Sequence, residues 1–186
     1  GPDGGTHQAL EDIALMRVMP NMDVISPCDA LEAKRATLAL VKSKRPAYLR
    51  LAREKTPIIT TEETPFEIGK AIILRQGKDL TIVGCGMLLY NALVAAEELS
   101  KENIEATVIN SHTIKPLDIS TIINSVKETK AVVTVEEHQV MGGLGSAVAE
   151  VLSQHFPVPQ EFIGVHDRFG ESGEPDELIE HFGMGV

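Results

Sequence analysis

After Pro65 the chain alternates between short β-branched runs and amphipathic stretches of ten or more residues, and this constrains the fold more than any other feature. The runs "KAIILRQ", "LTIVG", "IEATVIN", "KAVVTVEEH" and "EFIGVHD" read as strands. Between them "MLLYNALVAAEELSKEN", "LDISTIINSVKET" and "GSAVAEVLSQHF" carry apolar residues at helical spacing, and "PDELIEHFG" is a terminal helix closed by Gly183. Such alternation requires crossover connections, hence a mainly parallel sheet covered on both faces: a three-layer α/β/α domain over residues 67–186. The "GKD" turn between the first two runs predicts an opening hairpin that adds one antiparallel strand.

The first part of the chain is of a different kind. Apolar spacing predicts a helix from Thr6 to Val18, broken by Pro20-Asn21. "MDVIS" and "PAYLRLA" are strands around the helix of "SPCDALEAKRATLALVKS", whose start fits a cap at Ser26 or at Asp29 with Glu32. Two strands do not make an independently stable sheet. Residues 1–56 therefore read as the C-terminal portion of a domain, with a sheet edge and apolar helix face exposed, mobile or covered by a neighbouring chain. "REKTPIITTEETP" has no periodic apolar face, and residues 57–66 read as a linker.

A net charge of −10 argues against nucleic acid as the main partner. No run approaches the roughly 20 apolar residues of a membrane span, and no signal peptide is visible. The two cysteines, Cys28 and Cys85, form no CxxC pair and read as free thiols of a reducing cytoplasm.

Several places could carry chemistry. "GGLGS" at Gly142–Ser146 follows a strand and opens a helix, so it suits either an anion or a tight turn. It lacks the third glycine of a dinucleotide fingerprint, with Val148 there instead, and "GCG" at 84–86 likewise has Leu89. Glu136, Glu137 and His138 alternate across a strand end, which disfavours one metal site and fits a topological switch point or an interface. His112 reads as a loop histidine before a Pro-initiated helix. Asp3 and His7 share a Gly-rich turn where backbone can approach a ligand closely and an imidazole can exchange protons near neutrality. Arg50 and Arg53 end a strand and could clamp a phosphate or carboxylate.

In order, these pieces resemble transketolase, from the middle of its pyrimidine-binding domain to its C-terminus. "DGGTHQALEDIALMRVMPNM", "SPCDALEAK", "PAYLRLAREKTP", "HTIKPLD", "VEEHQVMGGLGSAVAEVL" and "DRFGESG" carry the resemblance, which covers essentially the whole chain. The wording is most like the C-terminal polypeptide of a transketolase split in two. Deoxyxylulose-phosphate synthase shares the turn but differs after it; the pyruvate dehydrogenase β subunit lacks the turn.

The resemblance implies an enzyme of the pentose phosphate pathway that uses thiamine diphosphate and Mg to move a two-carbon ketol unit between sugar phosphates. Carried over, Asp3 would recognise a sugar hydroxyl, His7 would bind and move a proton over the reacting carbon, and Arg53 would hold the substrate phosphate. The family's ring-protonating glutamate, its metal-diphosphate motif and its aromatic cradle are not in this sequence. The resemblance therefore implies a partner, an N-terminal transketolase half or subunit, within a homo-oligomer, and a chain that is inactive alone. The alternatives are a non-catalytic assembly module or part of another thiamine-dependent enzyme.

Overall fold

The computed structural model describes residues 2–186. Its elements are α1 (Asp12–Val18), β1 (Asp23–Ile25), α2 (Ala30–Lys42), β2 (Ala47–Leu49), β3 (Ile72–Arg75), β4 (Leu80–Gly84), α3 (Leu89–Lys101) and β5 (Ala106–Asn110). They continue with β6 (Thr113–Lys115), α4 (Ile119–Thr129), β7 (Val132–Gln139), α5 (Leu144–His155), β8 (Gln160–Val165) and α6 (Pro175–His181). A five-stranded sheet runs β3-β5-β4-β7-β8. Four of its strands are parallel, and β3 lies antiparallel to β5. This is the expected mixed α/β architecture with one antiparallel strand.

The expected hairpin is absent, because β5 lies between β3 and β4. The cause is local to the "GKD" turn. Lys78 and Asp79 both donate their N–H groups to the Glu105 carbonyl at 2.9 Å. The Gly77 N–H donates to Thr107 Oγ1, and a Cβ on Gly77 would run into the Glu105–Ala106 backbone. The turn is spent on the start of β5, so β3 leaves along the far side of that strand.

A second sheet, β2-β1-β6, joins two strands of the early segment to one from the middle of the chain. Strand β6, which the sequence presents as a loop, pairs antiparallel with β1, Val24 opposite Lys115. His112, at the entrance to β6, is fully buried rather than a surface loop residue. It stacks on Phe66 at 4.3 Å, its carbonyl accepts from the Ser26 N–H, and burial pulls its pKa down to about 4. Helix α4 is capped by Asp118, which accepts from the Thr121 N–H; Pro116 lies in the turn before it.

The early segment shares its core with the rest. Ile13 and Val24 are fully buried with Val83, Ile109, Ile122 and Leu144. Lys115 Nζ donates to the Arg17 and Met19 carbonyls and closes the C-terminus of α1. Away from that core, Leu15, Val18, Leu38 and Val41 are exposed, and β2 has β1 as its one neighbour, so an apolar helix face and a sheet edge are open. Asp29, not Ser26, caps α2 and also ties down the strap after β2. Cys28 and Cys85 are free and buried, and burial raises both thiol pKa values.

Candidate functional site

The turn at Asp3 is held from the other end of the chain. Gly4 has φ +77°, and a Cβ there would sit 2.5 Å from Ser172 Oγ; one on Gly5 would sit 2.5 Å from the Gly170 carbonyl. Gln8 Nε2 donates to the Glu171 carbonyl at 2.9 Å, and a Cβ on Gly170 would overlap the Gln8 amide. Loop 166–174 is the platform under the turn. Gln139, at the end of β7, anchors that loop by accepting from the Asp167 N–H and donating to the Arg168 carbonyl. The helix expected from Thr6 therefore begins only at Asp12. A short 3-10 turn at Gly5–His7 gives way to extended backbone at Gln8, and the Leu10 carbonyl accepts from the Gln139 N–H.

Asp3, His7 and Arg53 line one cleft of about 310 Å³. Its other wall is apolar, with Leu178, Ile179, Phe182 and Met184 at the C-terminal end of the chain. Arg53 is paired with Asp3 in an exposed ion pair, and that hydrogen bond and charge hold the Asp3 carboxyl below its ordinary pKa. His7 Nδ1 is 2.9 Å from Thr6 Oγ1. The cleft thus offers a carboxylate acceptor, an imidazole and a guanidinium within one pocket.

Arg50 has a different place from the one its spacing suggests. Its side chain is 17 % exposed and its donors are taken by Asp12, Glu137 and the Ala9 carbonyl. It is not a second free anion clamp. Asp12, Tyr48 and Glu137 were not legible as partners in the sequence, although Tyr48 and Arg50 at i, i+2 on one strand face were a signal.

The Gly-rich turn before α5 is filled from inside. Glu136 accepts from the Leu144 N–H at 2.7 Å and the Gly145 N–H at 2.8 Å, so a buried side-chain carboxylate occupies the position of an external anion. Burial pushes its pKa up to about 7 against these two donors. His138 beside it is buried; its Nδ1 donates to the Gln139 carbonyl and its Nε2 accepts from the Ala14 N–H. Glu137 points instead to the cleft. The three residues lie at the carboxyl end of β7, next to the point where strand order reverses between β4 and β7. Among the described residues no three His, Cys, Asp or Glu side chains stand together as a metal site.

The family model "Transketolase, C-terminal domain" matches residues 69–186, and "Transketolase, pyrimidine binding domain" matches residues 1–58. The chain is 44% identical over 98% of its length to the "6-deoxy-6-sulfo-D-fructose transketolase subunit SqwH" of Clostridium sp. (strain MSTE9), covering 56% of that protein. It is 44% identical over 99% of its length to the "Putative transketolase C-terminal section" of Methanocaldococcus jannaschii, covering 58% of it. A solved structure described as "Split gene transketolase, inactive beta4 tetramer" superposes with a TM-score of 0.95 at 45% identity, over 98% of this chain and 60% of that one. The transketolase of Campylobacter jejuni, at 23% identity, shares the fold with a TM-score of 0.78 over 100% of this chain and 28% of that one. The chain spans a little over half the length of the curated relatives it matches first. On the match of 69–186 alone, and on the relatives that agree with it, the chain belongs to the transketolase family.

Proposed function

We propose that this chain is the C-terminal part or subunit of a transketolase, and that it supplies the substrate side of a site completed by an N-terminal half within an oligomer. The observation that carries the reading is the convergence of Asp3, His7 and Arg53, up to fifty residues apart in sequence, on one cleft. The donor is a ketose with an anionic end. One relative is named for a sulfonated sugar and another, from Phocaeicola vulgatus, for apulose-4-phosphate, so a terminal anion is the common chemistry.

The residues divide the work as follows. Arg53 is exposed and exchanges its Asp3 partner for the sugar's anion, an exchange that costs little because solvent screens a surface ion pair. That exchange frees the Asp3 carboxylate to accept a hydrogen bond from a sugar hydroxyl. His7, on the same turn, takes a proton from a substrate hydroxyl and returns it.

Thiamine diphosphate and its magnesium would supply the carbanion chemistry of a transketolase, and in this reading the N-terminal half holds them. The N–H groups opening α5, the anion-binding place the sequence offers, are bound to Glu136 and not free for a diphosphate. The purified chain should therefore show no micromolar calorimetric binding of thiamine diphosphate with magnesium, and no ketol transfer. Adding the N-terminal half of the enzyme should restore both; a one-to-one isotherm from this chain alone would overturn the reading.

In the reconstituted enzyme, Arg53→Ala should raise KM for anion-bearing sugars by about tenfold to a hundredfold, the loss of one charge-assisted contact. Acceptors without a charged end should be little affected. An equal loss with both would show that Arg53 does not hold the anion.

A further inference from the structure

Arg50 lines the cleft and bridges the segment after the His7 turn to the end of β7. It follows β2, on the same strand face as Tyr48. Its Nε donates to Asp12 Oδ2 at 2.9 Å, where the Tyr48 hydroxyl also donates at 2.6 Å. Its Nη2 donates to the Ala9 carbonyl at 2.9 Å, and its Nη1 reaches Glu137 Oε2, at the end of β7, at 3.3 Å. One planar fork thus ties together the residue two beyond His7, the first residue of α1 and the C-terminal sheet.

The segment it grips has no element of its own. Gln8 is extended, α1 starts at Asp12, and Ala9 lines the cleft. Arg50 is also three residues before Arg53, so it is covalently close to one side of the cleft and hydrogen-bonded to the other. A lysine cannot reproduce this, because its single ammonium does not present three fixed donors in one plane.

Building on the transketolase reading, we infer that Arg50 is a positioning residue, which sets the distance between His7 and Arg53 by holding the Ala9 carbonyl and Asp12 against Glu137. Its donors are taken by Asp12, Ala9 and Glu137, although it lines the cleft. It acts on the turn, and through the turn on turnover.

The test uses Arg50→Lys and the milder Glu137→Gln. Hydrogen exchange of the 186-residue chain reads the turn without any activity. The His7 N–H closes the turn on the Gly4 carbonyl at 3.0 Å. Its exchange should accelerate about tenfold in Arg50→Lys and less in Glu137→Gln, the scale of one lost charge-assisted bond. Amides of Val83 and Ile109, deep in the C-terminal sheet, should keep their wild-type rates.

In the enzyme reconstituted with its N-terminal half, Arg50→Lys should lower kcat about tenfold or more for charged and uncharged acceptors alike, leaving KM for charged sugars within about twofold. An unchanged His7 rate in Arg50→Lys overturns the inference, whatever the activity. So does a general loss of protection at Val83 and Ile109, which would make Arg50 a folding residue, or a KM effect like that of Arg53→Ala. Faster His7 exchange together with an inactive wild-type reconstitution supports the placement of Arg50 and refutes the transketolase reading instead.

Discussion

Gly143→Ala should come close to unfolding the chain. A Cβ at this position would overlap the Glu136 carboxylate and lie 2.7 Å from His138 Nδ1. Neither neighbour can yield. Glu136 is held by the Leu144 and Gly145 N–H groups, and His138 by the Gln139 carbonyl and the Ala14 N–H. Pushing the carboxylate aside uncaps α5 and leaves a buried acid without its donors. The expected cost is about 3–5 kcal/mol, a large share of the roughly 5–15 kcal/mol that holds a domain together. Urea unfolding followed by circular dichroism reads it directly. Gly183→Ala is the control. Its φ of +71° is left-handed, unlike the −81° of Gly143, but nothing lies within 4 Å of the added Cβ, so about 1 kcal/mol is expected. Equal losses at the two sites would refute the role given to Glu136.

Asp29→Ala should cost nearly as much for an unrelated reason. One carboxylate caps α2 at the Glu32 N–H and accepts from the Ile59 N–H, the Thr60 N–H and the Thr60 hydroxyl. Removing it leaves an uncapped helix and buried backbone donors without partners, about 3–5 kcal/mol together. Burial alone would raise the Asp29 pKa, but the donors outweigh it and the net shift is downward from 3.8. Its contribution is therefore fully present above that ordinary value and is lost as pH falls through the lower folded one. The measurement is denaturant stability from pH 6 to pH 2, with approximate steps of one unit. Asp29→Asn should flatten the acid limb, and a limb as steep as the wild type's would count against the assignment.

The residues that made the sequence legible were those whose signals are local. Helical spacing in α3, α4 and α5, and β-branched runs in β4, β5 and β7, need no knowledge of partners, and they appear as expected. The Asp3, His7 and Arg53 set was readable as a family motif, and the three side chains do meet in one cleft. What was not legible depends on residues distant in sequence. Nothing near "GKD" says that Glu105 will accept its two N–H groups, so a hairpin was the natural reading. Nothing near His112 says that Phe66 will stack on it or that Ser26 will pair with its carbonyl. The late start of α1 follows from Gln139 and Glu171, more than a hundred residues away. Arg50 looked like a free clamp because Asp12 and Glu137 reach it only in three dimensions.

The loan of β6 to the first sheet has a consequence for the order in which the chain can fold. Strand β1 sits between β2 and β6, and Ile25 pairs with Thr113. A chain emerging from the ribosome delivers β1, α2 and β2 well before their third strand exists. Contacts that close so long a loop form late, because the entropy of closure precedes the gain. During synthesis the early segment must wait, its apolar residues Ile13 and Val24 uncovered, until β6 has emerged, which is still before β7 and β8 complete the parallel sheet. The interval between β2 and β6 is the window in which this chain is most exposed to misassociation and most open to capture by a chaperone.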